Sequence, residues 1–446
     1  MPCERQSRRE FCDSFTGRTY VLRPTIQTIK LWIWAGIAGA LGAASTIGFR
    51  WLTQQVEWLA TGHTGGLVET AMSLSAWHRA AVCAVGGLLA GLVLHWGGRW
   101  AAKGPRGDRN LDYIEAARAG RVDLNDRTTF TRTLSALFSI GTGAAIGREG
   151  PMVQLAAWVS SWLARWVALS PEQRNTIMVC GIASGIGSAY HAPIAGVVFV
   201  LELALGFFAR STVAPVLIAS ATASALIYWL VEPTPLYVMS GNAVAPTGLG
   251  VALLSGIVFG GIGWVWLGLL DKTRDLFSRV TSLPLRLGIG GVLVGLISAA
   301  IPQVWGNGYS VVSQVLQGDH LWQWLAMILV AKVAATALSS GSGAIGGVFT
   351  PSLFVGATAG SMLAQIAATW MPAAWVGDPR ALAVVGMAAV LAAVTHAPLM
   401  AIVMVLEMTD QFQLTVPVML ACGVAHAIST QFGAKPIYGN PIEARS

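Results

Sequence analysis

The chain has 446 residues, of which 54% are hydrophobic and only 11% charged, with a mean hydropathy of +0.62. Soluble domains carry about 25% charged residues, so this composition excludes a water-soluble globular protein and indicates one embedded in a membrane. A net charge of +7 is read as membrane topology and attraction to anionic lipid, and no nucleic-acid partner is expected.

In chain order, a polar and basic arm (residues 1–30) precedes uncharged stretches running Leu31 to Phe49, Ala80 to Gly98, Asn175 to Leu201, Ser211 to Val231, Pro233 to Leu270, Leu287 to Gly318, Val333 to Gly377, Ala381 to Leu406 and Gln411 to Ala434. Several exceed the roughly 20 apolar residues needed to span a bilayer. The arm lacks the short apolar core of a cleavable signal, so the first stretch is expected to stay as an anchor. Basic residues collect in the arm, between Arg99 and Arg132, and between Asp271 and Arg286. By the positive-inside rule these segments and both termini face the cytoplasm. The cysteines Cys3, Cys12, Cys83, Cys180 and Cys422 show no metal-ligand spacing, and neither metal nor cofactor is expected.

The chain repeats itself. GTGAAIGREGP at 141–151 returns as GSGAIGGVFTP at 341–351, and GIASGIGSAYHAPIAGVVFVLEL at 181–203 returns as GMAAVLAAVTHAPLMAIVMVLEM at 386–408. Two membrane repeats follow, 31–232 and 233–434, with a short tail at 435–446. Such repeats mark transporters whose sites form at midplane from broken helices. In each block a glycine run leads to a proline, Pro151 or Pro351, suited to the first turn of a helix. A helix N-terminus there offers N–H donors and partial positive charge to an anion, without the full charge that would hold the anion too tightly to conduct. Only the first block adds a carboxylate, Glu149. A charge at membrane depth costs about 2.5 to 3.5 kcal/mol on insertion scales, which makes function the default reading.

The motifs GREGP (147–151), GGVFTP (346–351), HAPIAGVVFVLE (191–202), THAPLMAIVMVLEMT (395–409) and KPIY (435–438) resemble the CLC family of chloride channels and proton/chloride antiporters. DYIEA (112–116), GNGYS (306–310) and GSGA (341–344) are similar to its bacterial ClcB-type branch. The resemblance implies an all-α polytopic membrane protein of two antiparallel repeats with tilted, discontinuous and re-entrant helices. It also implies a homodimer with one pore per subunit, in a bacterial inner membrane. Carried over by position, Glu149 is the gate. The amides around Arg148, Glu149 and Gly150 are the external anion site, and those of Val348 and Phe349, with the Tyr438 hydroxyl, the central one. No CBS pair is expected after Tyr438.

Two departures stand out. The family's GSGIP serine is missing, and Arg109 or Asn110 stands near its place. The second, proton-relaying glutamate of many antiporters falls on Leu203, which carries no proton; Glu202 is its neighbour, and Glu149 and Glu202 are the candidates for a proton path. These residues favour a passive, voltage- or pH-gated chloride channel, with proton-coupled antiport as the alternative. Glu202 and Glu407 recur in both repeats, which suits a shared structural job at a helix end, and His191 and His396 are read as pinning turns. Lys332 is an isolated intramembrane cation whose role is open. A membrane-embedded hydrolase is the remote alternative from another class; no GxSxG or HExxH supports it, and no enzyme is expected. An unrelated secondary transporter would carry more intramembrane carboxylates.

Overall fold

The computed structural model describes residues 26–103, 111–206, 210–231, 234–239, 249–318 and 320–438. Arg109 and Asn110 therefore lie outside the described residues, as do most of the basic arm and the tail beyond Tyr438. The described chain is helical, and its only β pairing is one isolated bridge, Gly147 to Gly347. Among the described residues, eight helices are long and apolar enough to cross a membrane. Ile26–Thr61, with 36 residues, is about 54 Å long at 1.5 Å per residue, well beyond the roughly 30 Å hydrocarbon layer, and is long enough to cross it tilted or with its ends projecting. Pro193–Phe199 and Pro398–Thr409 are too short to span; they are partial helices packed against longer ones.

The repeat seen in the sequence is a repeat of geometry. Gly143 and Gly343 take φ of 95° and 92°, a left-handed backbone open to glycine at little cost. In both turns the following alanine N–H, Ala144 or Ala344, donates back to Ser139 or Ser339. The helices Pro171–Tyr190 and Pro379–Thr395 each end on a histidine in left-handed conformation, His191 and His396, both at φ 55°. Each of these two helices packs on the glycine-proline helix before it through small residues. A Cβ on Gly356 would lie 2.2 Å from the Gly386 carbonyl oxygen, and one on Gly181 2.6 Å from that of Ala156. Without a hydrophobic drive between helices in lipid, such close backbone contact is what favours association.

The halves interlock. Ala76–Ala102 of the first crosses Leu283–Ala300 of the second. Glu202, in a π-helical turn at Val200–Ala204, accepts the N–H groups of Leu399 and Met400 at 3.2 and 2.6 Å. Glu407 accepts those of Ile194 and Ala195 at 3.0 and 2.7 Å. Each glutamate thus caps the proline-started helix of the other repeat, neutralising donors that have no intrahelical partner. Such reciprocity, where i meets j and j meets i, is what a two-fold relation between the halves produces.

Candidate anion pathway

The helices Glu149–Trp166 and Phe349–Ala367 begin inside the protein, and their approach segments are tied together by the two bonds of the bridge, Gly147 N–H to Gly347 O at 2.6 Å and Gly347 N–H to Gly147 O at 2.8 Å. This bridge brings the two glycine-proline blocks, 200 positions apart in the chain, into one place. Their first-turn N–H groups have no intrahelical acceptor, and a helix N-terminus of this kind favours negative charge. Gly147 and Gly347 both lack side chains where the two backbones approach within hydrogen-bonding distance.

Glu149 sits at the first position of its helix and is 5% exposed. Its Oε1 accepts from Asn307 Nδ2 at 2.7 Å, and its Oε2 is buried with no hydrogen-bond partner among the described residues. No ion pair joins Arg148 to Glu149 among the described residues, so the bland alternative of a carboxylate neutralised by its neighbour has no support in the geometry. An unpartnered buried carboxylate oxygen is costly.

Two cavities converge on these loops. The larger, about 750 Å³, is lined by Arg274, Gly346, Gly347, Val348, Lys435 and Tyr438, among others. It opens on the side of the basic 271–286 linker. The smaller, about 290 Å³, is lined by Asp112, Gly150, Gln154, Gly346, Gly347 and Tyr438, among others. Gly346, Gly347 and Tyr438 belong to both. The structure therefore gathers Gly150, Val348 and Tyr438 around two cavities that share a wall, with Phe349 immediately behind, packed on Tyr190 at 5.0 Å between ring centroids.

Tyr438 is placed by a residue that sequence reasoning passed over. Arg118, at the end of Tyr113–Arg118, donates to the Tyr438 carbonyl at 2.8 Å and to the Leu203 carbonyl at 3.1 and 2.9 Å. The Tyr438 ring meets Phe199 edge-on at 6.0 Å. Burial holds the Tyr438 phenol above its ordinary value, so at neutral pH it remains a hydroxyl able to donate to an anion. Leu203 is 3% exposed and presents no ionisable group. Asp112 caps its own helix, accepting from the Ile114 and Glu115 N–H groups at 2.9 Å each. Asn307 was also missed as a site residue, although it lies in the quoted GNGYS motif; its contact with Glu149 spans 158 positions.

A sequence profile of the family described as voltage gated chloride channel matches residues 86–430. The chain belongs to the CLC family. Among relatives of this CLC protein, a ClcB-like chloride channel protein of Ralstonia nicotianae is 44% identical over 419 residues, covering 92% of this chain and 95% of that one. A voltage-gated ClC-type chloride channel, ClcB, of Citrobacter koseri is 38% identical over 420 residues, covering 91% and 97%. Among solved structures, a slow cyanobacterial Cl⁻/H⁺ antiporter superposes with a TM-score of 0.79 at 22% identity, covering 93% of this chain and 97% of that one. A CLC-type fluoride/proton antiporter superposes with a TM-score of 0.74 at 24% identity, covering 92% and 97%. These last two are likenesses of fold. Members of the bacterial ClcB-like branch suggested by GNGYS and DYIEA thus match along nearly the whole chain.

Proposed function

We infer that this CLC protein carries chloride across a bacterial inner membrane through a pore in each subunit of a homodimer, with both termini cytoplasmic. Glu149 is the gate. The observation that carries this reading is a carboxylate with one unpartnered oxygen, buried where two helix N-termini are bridged by Gly147 and Gly347. Ionised, it occupies the place of an anion; protonated, it leaves that place to chloride. The amides of Arg148, Glu149 and Gly150, then those of Val348 and Phe349 with the Tyr438 hydroxyl, form successive stations. Partial charges on N–H groups attract the anion while leaving it free to move on.

The passive mode is favoured over proton-coupled exchange by what surrounds the second glutamate position of antiporters. Leu203 cannot carry a proton, and both oxygens of Glu202 are engaged by Leu399 and Met400 N–H groups. Coupled exchange requires water in the cavity beside Gly150 and Asp112 to bring protons past Leu203. The test is chloride efflux from liposomes holding the purified protein, recorded together with external pH. Passive efflux without proton uptake is expected, and Glu149→Gln, which mimics the protonated side chain, is expected to give efflux that no longer varies with pH. Proton uptake tied to chloride efflux selects the exchanger instead. Cross-linking in the membrane checks the homodimer.

A further inference from the structure

The GNGYS turn supplies a side chain that neither helix start provides. Gly306 and Gly308 take φ of 66° and 91°, the left-handed region glycine enters freely, and Asn307 stands between them. Asn307 Oδ1 accepts the Tyr309 N–H at 3.1 Å, which turns Nδ2 toward Glu149 Oε1, 2.7 Å away. Behind the turn lies Lys332, fully buried. Its Nζ donates to the carbonyls of Val304 at 2.7 Å and Gly306 at 2.6 Å and stands 5.9 Å from the centre of the Phe354 ring. Tyr309 ties the far side of the turn, its hydroxyl donating to the Leu236 carbonyl at 2.8 Å and its ring stacking on Tyr237.

A buried ammonium with no carboxylate beside it among the described residues is an expensive way to hold a loop. What it fixes is the position of one amide. We propose that Asn307, set in place by Lys332, is the latch of the Glu149 gate: its amide holds the ionised carboxylate in the pore and sets how readily protons release it. A donor aimed at a carboxylate favours the ionised form over the neutral one. Asn307 is therefore a positioning residue for the gate, and Lys332 positions Asn307. The inference rests on Glu149 being the gate.

The groups around Glu149 leave a clear assignment. Arg148 adjoins it, and Tyr190, Tyr237 and Tyr438 lie within electrostatic reach. Glu57 faces Arg148 and is bonded by Thr70 at 2.7 Å. Arginine stays charged and phenols stay neutral well above physiological pH, so Glu149, Glu57 and the buried Lys332 behind the turn are the ionisable groups that the pH profile has to separate.

Chloride efflux from liposomes, measured from about pH 4 to about pH 8, separates them. Asn307→Ala is expected to move the midpoint of the efflux profile upward by about one pH unit, the size of one lost hydrogen bond to a charged group. In a Glu149→Gln background the same change leaves the profile flat. Lys332→Met moves the midpoint in the same direction and adds nothing to Asn307→Ala; if that core change prevents folding, Asn307→Ala decides alone. An Asn307→Ala profile that overlays wild type or moves to lower pH overturns the latch. So does loss of efflux in a folded protein, or an Asn307→Ala shift that persists without Glu149. A pH-dependent Glu149→Gln protein counts against the gate itself, and wild-type liposomes without chloride efflux count against the transport reading.

Discussion

Glu149 gains its place from a neighbour that has no side chain. A methyl group at Gly147 would lie 2.2 Å from Glu149 Oε2 and 3.1 Å from the Gly347 carbonyl oxygen. The first of these atoms ends a flexible side chain and yields; the second belongs to the bridge. Gly147→Ala is therefore expected to displace the carboxylate and raise chloride efflux at neutral pH several-fold toward that of Glu149→Gln, with the pH profile flattened. Unchanged efflux with an intact fold would show that the carboxylate does not block where the structure places it. The histidines teach the same lesson at another site. His191 Nδ1 meets the Thr234 carbonyl at 3.0 Å and His396 Nε2 meets Ser429 Oγ at 3.4 Å, while both residues close a helix in left-handed backbone.

At the scale of the element, Glu202 and Glu407 do for short helices what an N-cap side chain does, but across the repeat boundary. Each carboxylate serves two N–H groups at the start of Pro398–Thr409 or Pro193–Phe199. Glu202→Ala is expected to cost about 2 kcal/mol, from the lost bonds to a charged acceptor, and Glu407→Ala a similar amount. Thermal unfolding in detergent reads both as lowered Tm, with the ratio of protons to chloride unaltered. A changed ratio in Glu202→Ala at unchanged Tm would return Glu202 to the proton path. The repetition of VLE in both halves pointed to a shared structural task, and the sequence carried no sign that the task was reciprocal. Glutamate and donor helix are 197 or more positions apart, and no local periodicity encodes a contact of that kind.

For the whole molecule, the large cavity carries Arg274 and Lys435 on its lining, and on the proposed reading it is where anions enter. Arg274 shares its charge with Asp271 at 3.3 Å, which leaves exposed Lys435 as the freer cation. Fixed charge at a mouth raises the local concentration of counter-ions, and salt screens it over a Debye length of about 8 Å at physiological ionic strength. Lys435→Glu is therefore expected to slow chloride efflux several-fold at low salt and much less at high salt. A deficit that is independent of salt would assign Lys435 a structural role.

The sequence by itself determined the solvent, the repeat and the chemistry of the helix starts. Long apolar runs admit only a membrane. GREGP and GGVFTP place glycine and proline where the backbone must turn and a helix must begin, and these are properties of neighbouring residues. It also singled out Glu149, because the one carboxylate of the glycine-proline block is visible without any fold. Only the tertiary structure decided the partners. The Gly147 to Gly347 bridge, the Asn307 amide on Glu149, and the exchange of Glu202 and Glu407 between repeats all join segments far apart in the chain. Hydrogen bonds of that kind depend on how the two halves interlock, and the order of residues along either half does not contain it.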